Sequence, residues 1–270
     1  MRAAWAGALA AALLALAGCA SDNGNGSDYS ERSVSELYNN AVDELQAGNH
    51  KQAAKLFDEV ERQHPYSTFA SKAQLMAAYT HYQNDSYEDA VNALNRFIEL
   101  HPGNRDIAYA YYLKALSFYE RIADVRRDQE MTVKARDALR EVVKRFPDSK
   151  YARDARLKLD LTADHLAGKE MTVGRYYIEN GHHLAAINRF RSVVEDYQTT
   201  SHVPEALHRL VEAYMALGIR REAKAAAAVL GHNYPGSDWY TDSYELLTGK
   251  NITPERAEDS WLDGIWNSLG

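Results

Sequence analysis

The sequence contains one cysteine among 270 residues, so no disulfide can form within the chain. A structural zinc site built from several cysteines is excluded for the same reason. The longest apolar run, near the N-terminus, is shorter than the roughly 20 residues that a membrane-spanning helix needs. Acidic residues outnumber basic ones, 38 to 31, which argues against a nucleic-acid partner because phosphate binding needs a basic surface.

Motifs that carry catalysis are also lacking. The sequence has no His-Glu-x-x-His, no Gly-x-Ser-x-Gly and no phosphate-binding loop. Its ten histidines are scattered, and the only adjacent pair, His182 and His183, falls at a predicted turn. We therefore predict a protein that is not an enzyme and that has no metal site and no cofactor.

The first residues have the pattern of an exported chain. Arg2 precedes an uncharged, Ala- and Leu-rich run that ends in Leu-Ala-Gly-Cys at residues 16–19. This tetrad resembles the lipobox of bacterial lipoproteins, in which small residues fit the peptidase and the thiol accepts a diacylglyceryl group. We predict a signal peptide over residues 1–18 and lipidation of Cys19. The alternative is an ordinary secretory signal that happens to contain a cysteine.

Lipidation would anchor the chain to a membrane without a transmembrane helix, because two or more acyl chains hold a protein stably. Ala20, rather than Asp, follows the cysteine. By resemblance to Gram-negative lipoproteins, this implies the outer membrane and its periplasmic face. Residues 19–33 are polar and Gly-rich, and they predict a flexible tether between the lipid and the folded domain.

The rest of the chain has a helical repeat pattern. From residue 34 to about 247 the apolar spacing is helical, and no alternating strand run occurs. In the first repeat, Ala41, Gly48, Ala53 and Pro65 occupy tetratricopeptide (TPR) positions 8, 15, 20 and 32. Small residues let paired helices approach closely, Gly ends the first helix, and Pro cannot continue the second.

These registers predict an all-α TPR solenoid over residues 34–248, built from helix hairpins. The predicted repeats lie at about 34–67, 71–104, 108–149, 150–200 and 204–237.

Two irregularities interrupt the repeats. Residues 123–132 form a charged insertion in the third repeat, which predicts either a solvated loop or a contact with a partner. Residues 150–166 are again amphipathic, and we expect them to continue into the fourth repeat as one long helix, with a possible bend near Gly168. The fourth repeat also has Gln198 in place of the usual Pro.

Tyrosine is abundant, with 18 residues, many of them on the first helices of the repeats. These helices line the concave surface of stacked hairpins. Tyr38 and Tyr79 fall at positions that normally face this groove. Together with Tyr82, they are the predicted groove residues for a substrate peptide, because tyrosine offers apolar area and a hydroxyl. About half of the tyrosines are expected in the core.

Arginine occurs twice in the second helix of the fourth repeat, at Arg189 and Arg191. Residues two apart lie about 200° apart around a helix, so both cannot face the core. An exposed arginine can bind a partner carboxylate through two hydrogen bonds, or it can be a surface residue with no role.

From residue 16 to about 237 the chain resembles the BamD family, the lipoprotein component of the bacterial outer-membrane β-barrel assembly machinery. The lipobox followed by five repeats carries this resemblance, with the sequences at 64–67, 135–139, 146–149 and 176–197. The last of these is the most specific. Members have Arg-Gly where residues 180–181 are Asn-Gly, and usually Pro at position 198.

The resemblance implies a non-enzymatic scaffold. Such a scaffold binds the POTRA domains of the barrel insertase through its C-terminal repeats, joins accessory lipoproteins, and recognises unfolded outer-membrane proteins through its N-terminal repeats. It implies that Asn188 and Arg189 lie at the insertase face. The alternative is a TPR lipoprotein for pilus or secretin assembly or for cell-wall synthesis, but those predict more regular repeats or an N-terminal coiled coil.

Residues 249–270 form an amphipathic tail. Thr253 before Pro254 predicts one helix start, and Ser260 predicts a second. One helical face then carries Trp261, Leu262, Ile265, Trp266 and Leu269. A helix this short is not stable alone in water. We expect it to dock, either on the last repeat as a cap or on a partner.

Overall fold

The computed structural model describes residues 32–266, 268 and 269. The predicted signal peptide, Cys19 and almost all of the predicted tether lie outside the described residues. The described part contains eleven α-helices, one short 3₁₀ helix and no β-strand. The α-helices are α1 (Val34–Gln46), α2 (His50–Gln63), α3 (Ala70–Gln83), α4 (Tyr87–Leu100), α5 (Ile107–Tyr119), α6 (Glu130–Arg145), α7 (Lys150–Glu179), α8 (His183–Asp196), α9 (Val203–Ala216), α10 (Arg220–Asn233) and α11 (Asp238–Thr248).

Helices pack in sequential order. The hairpins are α1–α2, α3–α4, α5–α6, α7–α8 and α9–α10, and the second helix of each hairpin also contacts the first helix of the next. Among the first helices of the hairpins, α5 contacts both α3 and α7. The final helix, α11, packs on α9 and α10. This arrangement is a TPR solenoid, and the predicted all-α fold is confirmed.

A left-handed residue forms the turn inside four of the hairpins. Gly48, Gly181 and Gly218 have φ angles of 80°, 75° and 75°, and Asp85 takes the equivalent place in the second repeat with φ 57°. Glycine adopts this conformation without a Cβ clash, whereas most other residues do not. The sequence pattern therefore located these turns because their backbone conformation demands a particular residue type.

The second helices end in one common conformation. Their C-cap residues have φ near −130° and ψ between 43° and 55°; these residues are His64, His101, Phe146, Tyr197 and Tyr234. Proline follows four of them, and Gln198 follows Tyr197. The fourth repeat ends as the others do, so proline reinforces this helix end but does not create it.

Small residues in the core set the distance between helices. Ala41, Ala53 and Ala186 are fully buried at helix crossings. Gly174 in α7 is also buried, and a Cβ atom there would lie 2.5 Å from the ring of Phe190 in α8. The absence of a side chain at Gly174 therefore lets Phe190 pack directly on the backbone of α7.

Helix α7 is continuous over 30 residues, as the amphipathic pattern of 150–166 predicted. At Gly168, a Cβ atom would lie 3.2 Å from His202 and 3.4 Å from Val125. Gly168 thus allows the insertion and the start of α9 to approach α7 closely. Despite the length of α7, no helix among the described residues is both long enough and apolar enough to span a membrane.

The charged insertion lies against α7. The Lys169 ammonium donates to the carbonyl oxygens of Arg126 (3.1 Å) and Arg127 (3.3 Å). The side chain of Gln129 bonds to His165 Nδ1 (3.0 Å) and donates to three carbonyl oxygens within the loop. The insertion is therefore tied to the fourth repeat, while its Arg126 side chain stays mostly exposed.

The C-terminal tail folds back onto the last repeat. No helix begins at Thr253, and that prediction was wrong; residues 252–257 run irregularly past α10, where the Glu255 amide donates to the Lys224 carbonyl (3.4 Å). Ser260 caps the 3₁₀ helix Trp261–Ile265, as predicted, by accepting from the Leu262 amide.

The apolar side chains of the tail are buried against this end of the solenoid. Leu262, Ile265 and Leu269 join the core cluster of the last two repeats. The ring of Trp266 stacks on His232 with centroids 4.5 Å apart. The tail therefore caps α10 in the structure. A cap on the last repeat was one of the two expected modes of docking.

Candidate partner-binding surfaces

Tyr38 is a core residue. It is 7% exposed, and its ring contacts Phe57 and Phe69 at centroid distances of 5.6 and 5.2 Å. The prediction that Tyr38 faces the groove was wrong, because aromatic side chains of α2 and of the turn before α3 close over it.

Tyr79 and Tyr82 on α3 are half-buried and lie at the surface between the second and third repeats. The Tyr82 hydroxyl donates to Glu120 at the end of α5 (3.2 Å), and its ring meets Tyr87 edge-on at 5.6 Å. Burial, helped by the Glu120 carboxylate, raises the pKa of Tyr82 to about 12. The hydroxyl therefore stays protonated and remains a hydrogen-bond donor over the physiological range.

More tyrosines extend this surface along α5 and into α7. The rings of Tyr112 and Tyr151 stack at 5.1 Å, and Tyr109 meets Tyr151 at 5.5 Å. The Tyr112 hydroxyl donates to Asp154 (2.5 Å). Burial raises the pKa of Tyr109 and of Tyr112 well above the usual range, and for Tyr112 the Asp154 carboxylate adds to the effect.

We call this surface the tyrosine face. Its members are half-buried tyrosines on three consecutive first helices: Tyr79, Tyr82, Tyr109, Tyr112 and Tyr151. Rings that are partly buried and hydroxyls that remain protonated can contact apolar side chains and backbone carbonyls of a peptide. Sequence reasoning did not include Tyr151 in the groove, because it begins the N-terminal extension of α7 and has no consensus repeat position.

Asn188 and Arg189 are exposed on α8. The Arg189 guanidinium bonds to Glu170 of α7 (3.1 Å), and 45% of its side chain remains exposed. Exposed ion pairs of this kind contribute little to stability, about 0–1 kcal/mol. The remaining donors of Arg189 are therefore available to an external carboxylate.

Arg191 has a different environment from Arg189. Its guanidinium bonds to Glu195 (2.8 Å) and lies over the ring of Trp261 in the tail. The two arginines thus face different neighbours, as their angular separation on the helix requires. Within the described residues Arg189 has no hydrogen bond or ion pair with the tail, and it is exposed next to Asn188.

A buried serine and a buried histidine, together with a half-buried glutamate, connect α9 and α11. Ser243 Oγ is 2.9 Å from His208 Nδ1, and His208 Nε2 is 3.6 Å from Glu212. Although burial acts in the opposite direction, bonds from His208 and Arg209 lower the pKa of Glu212 to about 2. Ser243 is completely buried, so no substrate can reach it, and the row joins α11 to α9.

The described part of the chain also offers no cluster of side chains that could bind a metal ion. These residues contain no group of three or more His, Cys, Asp or Glu side chains placed to hold a metal ion.

Comparison with known proteins identifies the family to which this chain belongs. The family model described as "YfiO: Outer membrane lipoprotein" matches residues 30–244. The chain belongs to this family. The matched range includes all ten helices of the five hairpins and ends within α11, so the tail lies beyond the family match.

Members of the family include curated relatives named "Outer membrane protein assembly factor BamD". The one from Caulobacter vibrioides is 52% identical, over 84% of this chain and 74% of the relative. The Rickettsia prowazekii relative is 50% identical, over 79% and 85% of the two chains. A Neisseria meningitidis relative is 37% identical, over 86% and 92%.

Solved TPR structures also align with the chain at low similarity. A thermophilic TPR protein from Thermus thermophilus has 18% identity and a TM-score of 0.37, covering 80% of this chain and 100% of that protein. The TPR2AB domain of yeast Sti1 has 12% identity and a TM-score of 0.41, covering 78% and 80%.

Proposed function

We propose that this chain is a non-enzymatic scaffold for the assembly of outer-membrane proteins. Its family is one of outer membrane lipoproteins, and the relatives named above are outer membrane protein assembly factors. The observation that carries the proposal is the accessible Arg189 guanidinium beside Asn188, within the stretch that most specifically resembles the BamD family. A solenoid offers such side chains on an extended, rigid surface.

The scaffold is anchored through lipid on Cys19 and faces the periplasm from the outer membrane. The lipobox-like sequence at residues 16–19 and the description of the family support this part of the proposal. Acyl chains on one cysteine would hold the solenoid at the membrane surface, where a barrel insertase also resides.

The insertase contact is made by Asn188 and Arg189, which bind its POTRA domains, and accessory lipoproteins join the same complex. Arg189 presents free N–H donors in a planar arrangement that matches a carboxylate. Its present partner is the half-buried carboxylate of Glu170 on the same molecule, and a carboxylate of the insertase can bind the donors that Glu170 leaves free.

Unfolded outer-membrane proteins bind at the tyrosine face, with Tyr79 and Tyr82 at its N-terminal end. An unfolded barrel strand has alternating apolar and polar side chains. The apolar ones can pack on the tyrosine rings, and the polar ones can form hydrogen bonds with the hydroxyls. Half-buried rings lose little side-chain entropy on binding, which favours them as contact residues.

The test is co-purification in mild detergent from envelopes that contain the tagged full-length chain. Wild type is expected to retrieve the insertase, and Arg189→Glu to retrieve several-fold less, because reversing an interface charge costs about 1–3 kcal/mol. Arg105→Glu is the matched control, since Arg105 is 89% exposed in the turn before α5. Retrieval of a pilus, secretin or cell-wall complex by wild type would instead favour the alternative scaffold.

A further inference from the structure

The N-terminal half of α7 has an exposed face. Helix α7 has 30 residues, whereas its hairpin partner α8 has 14. The core cluster that joins α7 to α8 begins at Ala167, and Ala155 and Leu159 belong instead to the cluster of the third repeat. Residues 150–164 of α7 therefore pack on α5 and α6, and their opposite side is open to solvent.

Two leucines on this side of α7 are largely exposed. Leu157 is 62% exposed and Leu161 is 59% exposed, and the two lie one helical turn apart. Single exposed leucines are common at protein surfaces, but neighbouring ones on a helix form a continuous apolar strip. Neither leucine belongs to a core cluster of the described residues, so packing within the fold does not require leucine at either position.

Charged side chains of opposite sign flank the two leucines along the helix. The arginines come first in the sequence and the aspartates follow them. With 3.6 residues per turn, the leucines and these charged residues fall within a sector of about 140° around the helix axis. We call this surface the α7 outer face, and its members are Arg153, Arg156, Leu157, Asp160, Leu161 and Asp164.

The order of these charges does not stabilise α7 itself. A helix N-terminus favours acidic side chains, but the first turn of α7 has none. An arginine that precedes an aspartate by four residues is also the less favourable orientation for a pair within a helix. Arg156 accordingly donates to the Pro147 carbonyl (3.2 Å) rather than to Asp160.

The charged groups of the α7 outer face have spare capacity to bind. Arg153 and Asp160 form neither an ion pair nor a side-chain hydrogen bond with any other described residue. Asp164 accepts a hydrogen bond from Ser201 Oγ (3.0 Å), and its second carboxylate oxygen lies 3.7 Å from His202 Nε2. The face therefore offers both signs of charge to an external partner.

The charge pattern of this face is complementary to its own reversed copy. Arg153 and Asp164 lie at its two ends, about 16 Å apart along the helix axis. Arg156 and Asp160 lie between them, and both pairs are centred near residue 158. In an antiparallel pair of such helices, each arginine lies opposite an aspartate of the other copy, and the leucines of both copies meet at the centre. This is the isologous contact of a two-fold symmetric dimer.

We propose that the α7 outer face binds the same face of a second copy of this chain, antiparallel and around a two-fold axis near residue 158. A partner with one sign of charge would match only one end of the face, whereas a second copy matches both ends.

The proposed contact involves a three-turn helix segment from each copy, so it is smaller than the standard interface of about 1,600 Å². We expect a weak dimer, with a dissociation constant on the order of 10 μM. Arg189 is not a member of the face, so this proposal is independent of the insertase contact.

The test mixes two purified preparations of the full-length chain, carrying different tags, in mild detergent. The fraction of one copy retrieved with the other is measured against concentration. Leu161→Asp should weaken self-association at least tenfold, because it places a charge at the apolar centre of the contact, next to the acidic end. Leu100→Asp is the matched control and should change nothing, since Leu100 is 62% exposed at the end of α4. Circular dichroism should show both variants to be folded, because both leucines are largely exposed.

Charge reversal tests the antiparallel arrangement. Arg156→Glu and Asp160→Lys should each weaken self-association several-fold, because each places like charges opposite one another in the dimer. A mixture of the two single variants should associate as wild type does, because glutamate of one copy then lies opposite lysine of the other. The double variant in one chain should recover for the same reason. A purely structural role of either residue would not give recovery in the mixture.

Four results would overturn the proposal. One is the absence of self-association of wild type at about 100 μM. A second is full association of Leu161→Asp, since two copies that merely share a detergent micelle are retrieved whatever residue stands at position 161. A third is weakened association of the single charge variants with no recovery in their mixture. The fourth is a wild type that stays monomeric but retrieves another envelope protein through Leu161, because the occupant is then a different partner.

Discussion

The guanidinium carbon of Arg191 in α8 lies 4.5 Å from the ring centroid of Trp261 in the tail. The Trp261 indole N–H also donates to the hydroxyl of Tyr214 on α9 (3.2 Å). One tail side chain therefore contacts both of the last two repeats. Ion pairs join the same tail to α10, namely Lys224 with Glu255 (2.6 Å) and Arg221 with Asp259. Terminal repeats need such a cover, because no further hairpin buries their outer face.

Trp261→Ala should lower the free energy of unfolding by about 2 kcal/mol, since it removes a cation–π contact and buried apolar area. This corresponds to roughly 4–8 °C in melting temperature for a domain of this size. Circular dichroism during heating measures it. Tyr66→Ala is the control, because Tyr66 is fully exposed and should change nothing. An unchanged melting temperature for Trp261→Ala would mean that the tail does not cap the solenoid.

Gly174→Ala should destabilise the fourth hairpin, because its new methyl group would lie 2.5 Å from the Phe190 ring. Overpacking of this kind costs about 1–3 kcal/mol. Urea unfolding measures the loss, with Gly103→Ala as the control. Gly103 lies in a turn where no atom lies within 4 Å of the added methyl group. Equal stability of the two variants would show that α7 and α8 can move apart freely.

The helical hairpins could be predicted from sequence because their signals are local. A left-handed turn requires glycine at Gly48, Gly181 and Gly218, and a close helix crossing requires alanine. Each of these positions can therefore be predicted from the sequence of its own repeat. Helix periodicity likewise predicted that Arg189 and Arg191 cannot both face the core, and both side chains are partly exposed.

Contacts between distant segments could not be predicted in this way. Tyr38 has the sequence position of a groove residue, but Phe57 and Phe69 close over it in three dimensions. Thr253 has the local sequence of a helix start, but contacts with α10 keep the chain irregular there. Ser243 and His208 are 35 residues apart in the sequence, and no sequence motif predicts their contact.

Acid should weaken the joint between α9 and α11. The folded protein holds the pKa of Glu212 at about 2, below its ordinary value of 4.5. A lowered carboxylate pKa contributes stability that is fully present above the unfolded value and is lost as pH falls through the folded one. The free energy of unfolding should therefore decline between pH 4.5 and about 2.

Glu212→Gln should remove part of this decline, because its amide does not titrate. Urea unfolding at several pH values between 2 and 6 measures the difference between the variant and wild type. Asp242→Asn is the control, since Asp242 is exposed and its carboxylate neither forms an ion pair nor accepts a hydrogen bond within the described residues. A pH dependence in Glu212→Gln identical to that of wild type would contradict the assignment.

Cys19→Ala should leave the protein without a lipid anchor. This prediction rests on the lipobox-like sequence at residues 16–19, which contains the only cysteine of the chain. Metabolic labelling with a fatty acid and fractionation of membranes measure the result, and the variant is expected to be unlabelled and either soluble or unprocessed. Normal labelling of Cys19→Ala would show that another site or another mechanism holds the chain at the membrane.

Tyr82→Ala should weaken binding of an unfolded barrel segment about tenfold, or roughly 1.4 kcal/mol, because it removes a half-buried ring from the tyrosine face. Fluorescence anisotropy with a labelled peptide of a barrel protein's terminal strand measures the affinity. Tyr82→Phe keeps the ring but loses the bond to Glu120, so it should bind with intermediate strength.

Tyr244→Ala is the control, since Tyr244 is 45% exposed on α11, away from this face. Tyr38→Ala cannot serve here, because removal of its buried ring should unfold the first repeat. Equal affinities for wild type, Tyr82→Ala and Tyr244→Ala would place the substrate elsewhere on the solenoid.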